Sequence, residues 1–224
     1  RDGFSGAIEL SVGNLPPGYT ASKTLLSSGL DEARITITAP PDAPAGIITP
    51  VVTGSADIGG KMKTRQATPA EQCTQAFFTM HLVPAREFLL STIDAPAFTL
   101  GTNMKPGQVI EAKRGSELQV IVSARRRSDV KGGIGITLAQ AGPKPPKGGF
   151  PVTAKFAMIP PDKDEVTVNL TVGAQAPVGR HDVILSGLLR AGKESISHFT
   201  PAISLQIIDD GKTPPPAPPK KKAP

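Results

Sequence analysis

Apolar and polar residues alternate through Ala33, Ile35, Ile37 and Ala39, and again in the same phase through Val166, Val168, Leu170 and Val172. A period of two is the mark of a strand with one face buried. Each run meets the same punctuation, Ala-Pro-x-Gly at 43–46 and at 176–179. Proline has no N–H to give to a ladder and glycine tolerates the backbone angles of a tight turn, so the strand stops there. A second apolar run follows each turn. Residues 31–54 and 164–187 align without a gap and are identical at Asp31/Asp164, Glu32/Glu165, Thr38/Thr171, Ala43/Ala176, Pro44/Pro177, Gly46/Gly179 and Gly54/Gly187. A strand, turn, strand unit is therefore written twice, and a repeat on this scale sets the fold.

The flanking segments extend the repeat. Ile8, Leu10 and Val12 predict a strand, and 127–138 echoes 1–12 by placing Val130 opposite Phe4, Gly132 opposite Gly6, Ile134 opposite Ile8 and Ile136 opposite Leu10. The second copy is longer by the loop 142–149, which replaces Leu15 to Gly18, and surface loops accept such insertions cheaply. Gly59-Gly60 predicts a hairpin turn. His81 to Ile93 is echoed by His198 to Ile208 with His, Pro and Ala in place, so the first copy carries extra residues around 67–80, and each copy ends in a strand, 88–93 or 203–208. Gly107 to Arg127 predicts a short strand, an Arg-Gly turn and a longer strand with Leu118 and Ile121 turned inward. The first copy has no counterpart of this segment. The expectation is that its opening strands, a piece of roughly 20 to 30 residues, lie upstream of a chain that starts with Arg rather than Met. The first domain would then expose unpaired sheet edge.

Pro and Gly number 24 and 23 in 224 residues, heavy for helices and natural for short strands joined by tight turns. The length accommodates two domains, placed at 1–95 and 96–209 with the joint at 94–98. The Pro- and Lys-rich remainder, 210–224, cannot bury enough apolar surface to fold and is expected to be disordered.

The net charge of +6 does little to change this picture, because Lys212, Lys220, Lys221 and Lys222 sit in the tail and Arg125, Arg126 and Arg127 form the other dense cluster. Nucleic-acid grooves interleave such charge with stacking aromatics. With no Trp and the single Tyr19, no nucleic-acid partner is expected. No apolar run approaches the length of a membrane span, so no membrane insertion is expected. One cysteine makes neither an intrachain disulfide nor a metal site.

Taken together, RDGFSGAIEL (1–10), LPPGYTAS (15–22), the alternating strand with DAPAG (42–46) and HLVPAREFLL (81–90) resemble the immunoglobulin-like repeats of large secreted bacterial proteins, which accompany pre-peptidase C-terminal domains. The resemblance covers residues 1–208 in two copies. It implies non-catalytic spacer or adhesion-like domains outside the cytoplasm. The second copy departs from the pattern where its Lys- and Pro-rich loop stands in place of LPPG.

Strong catalytic and metal motifs are missing. Gly3-Phe4-Ser5-Gly6 has the wrong spacing for a nucleophile elbow, and there is no zinc-binding His pair, phosphate loop or Cys pair. His81 and His198, repeated in both copies, read as strand-end packing residues, and His181, aligned with Ile48, as a half-buried strand residue. Cys73 would be a nucleophile only with a base such as His81 beside it, and an incidental thiol on the inserted segment is preferred. Asp31-Glu32, and Asp164-Glu165 with Asp162, offer too few oxygens for calcium and read as solvated turns. A sugar platform would draw on Tyr19, Phe77, Phe78 or Phe150, although Phe77-Phe78 serves equally as a plug.

The sequence thus predicts an all-β chain of two tandem immunoglobulin-like antiparallel β-sandwiches of about seven strands each, the first lacking its N-terminal strands. It carries no expected catalytic residue, metal or cofactor. The expected role is a non-enzymatic structural or spacer module of a larger secreted or cell-surface bacterial protein. Its partners would be neighbouring domains and an extracellular protein or polysaccharide. The alternative is an accessory domain of a secreted protease whose catalytic domain lies elsewhere.

Overall fold

A computed structural model of the chain describes all residues except 1, 2, 29, 77, 78, 93, 94, 106, 140–150, 193, 210 and 212–224. The long loop of the second copy, Phe77, Phe78, Phe150 and nearly all of the Pro/Lys tail therefore lie outside the described residues. Every helical or strand element among the rest is a β-strand, and no helix is long and apolar enough to cross a membrane. The strands fall into two compact units, Arg1–Pro96 and Ala97–Pro224.

The first unit holds β1 (Ile8–Gly13), β2 (Thr20–Ala21), β3 (Thr24–Leu26), β4 (Ile37–Thr38), β5 (Gly46–Ile48), β6 (Val51–Ile58), β7 (Lys61–Gln66), β8 (Ala70–Gln75), β9 (Thr79–Pro84) and β10 (Leu90–Thr92). They form an antiparallel sheet in the order β3-β1-β6-β7 and the pairs β2-β4, β5-β10 and β8-β9. The second unit holds β11 (Phe98–Thr102), β12 (Val109–Lys113), β13 (Glu117–Arg126), β14 (Ile134–Leu138), β15 (Val152–Ala154), β16 (Ala157–Ile159), β17 (Glu165–Val172), β18 (Gly179–Val183), β19 (Leu185–Ala191), β20 (Glu194–Phe199) and β21 (Ile203–Ile208). Its sheets run β11-β13-β17-β15, β16-β14-β19-β20 and β12-β21-β18. Among the described residues the pairing of β12 with β21 alone is parallel.

Alternation builds the core of the second unit. Val120, Val122 and Ala124 of β13 and Val168, Leu170 and Val172 of β17 turn to one side. They pack in one cluster with Phe98, Ile134, Ile136, Leu185, Leu189, Leu205 and Ile207 from all three sheets. Sheets sharing a core in this way are consistent with a β-sandwich. Each fully buried aliphatic side chain contributes about 1.5–3 kcal/mol relative to exposure. Ile121 departs from expectation: it is 36 % exposed, because a period of two sends the even positions 118 to 124 inward and 121 outward.

The two units share strand registers. Ile8 opposes Leu26 as Ile134 opposes Ile159. Leu10 opposes Gly54 as Ile136 opposes Gly187. Thr20 opposes Thr38 as Thr153 opposes Thr171. Ile48 opposes Leu90 as His181 opposes Leu205. A slip of one residue would exchange faces, so these matches carry the alternation of both copies into the same pairings.

Several expectations need correction. The run Ala33 to Ala39 is laddered only at Ile37–Thr38, whereas its counterpart β17 is laddered from Glu165 to Val172. β17 has β13 on one side and β15 on the other, while β4 pairs with β2 alone among the described residues. The closing strand expected at 88–93 shrinks to Leu90–Thr92, and Ile93 falls outside the described residues. Among the described residues the strand counts are ten and eleven rather than about seven, because extended segments change sheet midway: 152–159 runs from β15, paired with β17, into β16, paired with β14. The extra residues of the first copy form the β8-β9 hairpin. This hairpin follows Pro69, and the preceding ladder closes alike in both units: Ala67 N–H donates to Val52 O (2.8 Å) as Thr200 N–H donates to Leu185 O (2.9 Å), so Ala67 stands where Thr200 stands and the two Thr-Pro-Ala stretches are one residue out of step. His81 and His198 are consequently not equivalent. His81 lies in the hairpin opposite Cys73, and His198 lies in β20 opposite Gly187, where the first unit has Arg65.

Glycines on the shared register test the packing. A Cβ on Gly187 would lie 2.8 Å from Leu100 Cδ1, 3.0 Å from Ile134 Cγ2 and 3.3 Å from Ile136 Cδ1. On Gly54 it would meet Ile8 Cγ2 at 3.0 Å and Leu10 Cδ2 at 3.5 Å, with nothing in the place of Leu100. Gly187→Ala is expected to cost about 1–3 kcal/mol through overpacking, and Gly54→Ala clearly less. Urea unfolding of both variants checks this, and equal losses would contradict the packing described.

Candidate functional site

Two proline-rich turns of the first unit close on each other. In the first, Tyr19 N–H donates to Pro16 O (3.2 Å), with Gly18 at φ 84°; in the second, Ala43 N–H donates to Pro40 O (3.0 Å). The β2-β4 pair carries one flank of each turn, which brings them together around a concave cavity of about 370 Å³. Pro16, Pro17, Tyr19, Pro40, Asp42, Pro44 and Ile47 form much of its wall. Tyr19 is half-buried, and its hydroxyl shares a 2.6 Å hydrogen bond with Thr92 Oγ1 of β10, which ties the loop to the closing strand. Flat proline and tyrosine faces suit an apolar, proline-rich or sugar-ring surface. Asp42 is the lone carboxylate of the lining, with no second acid or base for paired proton transfer. The sequence offered Tyr19 as a sugar contact but treated the prolines only as turn residues. The signal for the cavity was that both proline-rich turns flank strands that pair.

The β8-β9 hairpin places Cys73 directly opposite His81. The thiol thus has the neighbour that thiol chemistry would require. Both strands of this ribbon are exposed along their full length, however, and Cys73 is a free, exposed cysteine. An open ribbon supplies neither a desolvated pocket nor a donor pair for an oxyanion.

His181 and His198 are held by packing. His181 is 8 % exposed in β18 and its Nε2–H donates to Pro177 O at 2.8 Å. Burial holds its pKa below the usual imidazole value, while the Pro177 carbonyl and Asp182 pull the other way. His198 meets Phe98 edge to face, ring centroids 4.8 Å apart at 86°, and burial lowers its pKa as well. His181 and His198 therefore sit among core and strand contacts.

No group of three or more His, Cys, Asp or Glu suited to a metal occurs among the described residues. Asp164 instead faces Arg126, whose Nη1 lies 3.5 Å from Oδ1. Arg126 also donates to Lys163 O (2.7 Å) and Pro160 O (2.9 Å). The sequence showed this arginine only as part of a basic cluster. In the fold it staples the end of β13 to the turn before β17.

No family model matches the chain, and no curated protein matches it. Among solved structures the chain is similar to an endo-fucoidan hydrolase from glycoside hydrolase family 107, at 13 % identity and a TM-score of 0.29 over 89 % of this chain. It spans 24 % of the length of that enzyme. At that score the likeness carries no argument about fold or chemistry.

The buried histidine gives a pH dependence with a definite sign. Unfolded His181 takes up a proton as pH falls through about 6.5, whereas the folded residue does so only at lower pH. The unfolded state binds more protons in that window, so stability of the second unit is full above it and is lost as pH falls through it. His181→Ile, which installs the residue found at Ile48, is expected to flatten the decline between about pH 7.5 and about pH 5. Urea midpoints at several pH values check this, and an unchanged slope would contradict it.

Proposed function

We propose that the chain is a non-enzymatic extracellular structural module of a larger secreted or cell-surface bacterial protein. In this reading it consists of two copies of one immunoglobulin-like β-sandwich, the first incomplete, which space or display neighbouring domains. Its kinship is with the repeats that accompany pre-peptidase C-terminal domains. The shared registers of β1 with β6 and β14 with β19, and of the other matched pairs, support the two-copy reading.

One observation carries the mechanical part. In the second unit β12, near the start, and β21, at the end, are parallel neighbours, joined over five residue pairs from Val109↔Ser204 to Lys113↔Ile208. Tension applied at the two ends draws β12 toward its N-terminus and β21 toward its C-terminus. The pairs are then sheared together rather than peeled one at a time, which suits a segment that transmits load. The cavity around Tyr19 supports a secondary role in holding an extracellular protein or polysaccharide segment, since it offers contact surface without paired catalytic groups.

Single-molecule pulling tests the load-bearing role. In a Cys73→Ser background, handles at positions 108 and 209 load the β12-β21 pair in shear, and handles at 113 and 209 load the same pair from one end. A higher rupture force is expected in the first geometry. Equal forces in the two geometries would remove the support for a mechanical role.

A further inference from the structure

The two units differ most at one edge, and the second unit shows what belongs there. Its β13 lies along β17, matching Val120 with Val168 and Leu118 with Leu170, and its β12 lies along β21. The first unit has the acceptor strands without the donors. On the side away from β2, β4 has no ladder partner among the described residues, and β10 pairs with β5 alone. The side chains record the difference. Val168, Leu170, Leu205 and Ile207 are each 0 % exposed, while Ile35, Ile37, Leu90 and Thr92, which hold the same places, are only half-buried. Leu100 of β11 packs beside Gly187, whereas among the described residues only Ile8 and Leu10 come within 4 Å of a Cβ placed on Gly54.

We propose that the first unit is a strand acceptor. Its occupant is an extended segment of the β11-to-β13 type, carried by the same polypeptide through residues 1–7. This rests on the two-copy reading above and specifies the partner of the open edge. The chemistry of the occupant is dictated by the acceptor. It offers alternate apolar residues to Ile35 and Ile37, as Val120 and Leu118 do to Val168 and Leu170. It brings a bulky apolar side chain to Gly54, as Leu100 does to Gly187. Residues 3–7 lead into β1 as residues 129–133 lead into β14, so an occupant joined ahead of them meets its groove at a high effective concentration. Main-chain hydrogen bonds to a sheet edge supply affinity and the alternate side-chain sites supply selectivity.

The test grafts a second copy of residues 97–126 directly ahead of residue 1 of the full chain and tracks amide hydrogen exchange. Exchange at Ile35, Ile37 and Leu90 to Thr92 is expected to slow on the order of tenfold or more. A second graft carrying Val120→Asp and Val122→Asp in the added copy is expected to give no slowing. Gly54→Ala, mild in the chain without a graft, should become strongly destabilising once the grafted Leu100 is seated. Unchanged exchange with the first graft, or equal slowing with both, overturns the proposal. Amides of β17 report separately on the two-copy sandwich reading. If they are protected while the first unit does not respond, only the strand-acceptor proposal falls; if they are unprotected as well, both fall.

Discussion

The seam between β13 and β17 is the constraint on which the rest of the fold depends. A ten-residue strand lies antiparallel along an eight-residue one, and the same alternation that satisfies their backbones turns Val120, Val122, Val168 and Leu170 into a common core. Where that seam exists, the acceptor strand stays in the ladder for its whole length and its apolar residues are withdrawn from water. Among the described residues the first unit shows no such seam, and β4 is correspondingly short. The same sequence pattern, Ala33 to Ala39, holds only two residues in a ladder, and its isoleucines remain half-exposed. The hydrophobic driving force scales with area removed from water, so Ile35 and Ile37, half-buried, gain less of it than Val168 and Leu170, which are fully buried.

The second constraint is the change of sheet within one extended segment. Segments 46–58, 152–159 and 179–191 each begin in one pairing and end in another, with a short break at Thr49-Pro50, at Lys155-Phe156 or at Ile184. Corners of this kind close a sandwich without helices. They also set the turns beside them: in the first unit the turn before β5 and the turn before β2 converge, and the Tyr19 cavity lies between. The fold thus produces a concave surface as a by-product of turning corners. The chemistry of that surface is set by the prolines of the two turns, Pro16, Pro17, Pro40 and Pro44, which make it largely apolar with Asp42 as the titratable side chain beside Tyr19.

Function on this chain is consistent with where its polar chemistry sits. Among its buried or half-buried polar residues, Arg126, His181 and His198 each meet a carbonyl, a carboxylate or an aromatic edge within their own unit. Cys73 and His81 are brought face to face, yet on a ribbon open to water on both faces. A stalk or display role asks for stable packing and a defined direction of load, and the parallel β12-β21 pair in the second unit supplies a load direction.

The sequence by itself determined the strand pattern. The alternation at 164–172, the break in the chain around each Ala-Pro-x-Gly and the Gly59-Gly60 hairpin were legible, because burial of one face and the φ requirements of turns are local and act on adjacent residues; the same pattern at 31–39 did not become alternating burial, since Ala33 and Ala39 stay exposed. The sequence misled at His81 and His198, where a short identity of His, Pro and Ala outweighed the register of the strands around it, and at Ile121, whose bulk drew attention away from its parity. Only the tertiary structure decided which strands are neighbours: that β12 runs parallel to β21, that Cys73 faces His81, that Arg126 staples Pro160, Lys163 and Asp164, and that two proline turns far apart in the chain enclose one cavity. Neighbour choice in a sheet depends on partners distant in sequence, and periodicity within a strand carries no label for the strand that will lie beside it.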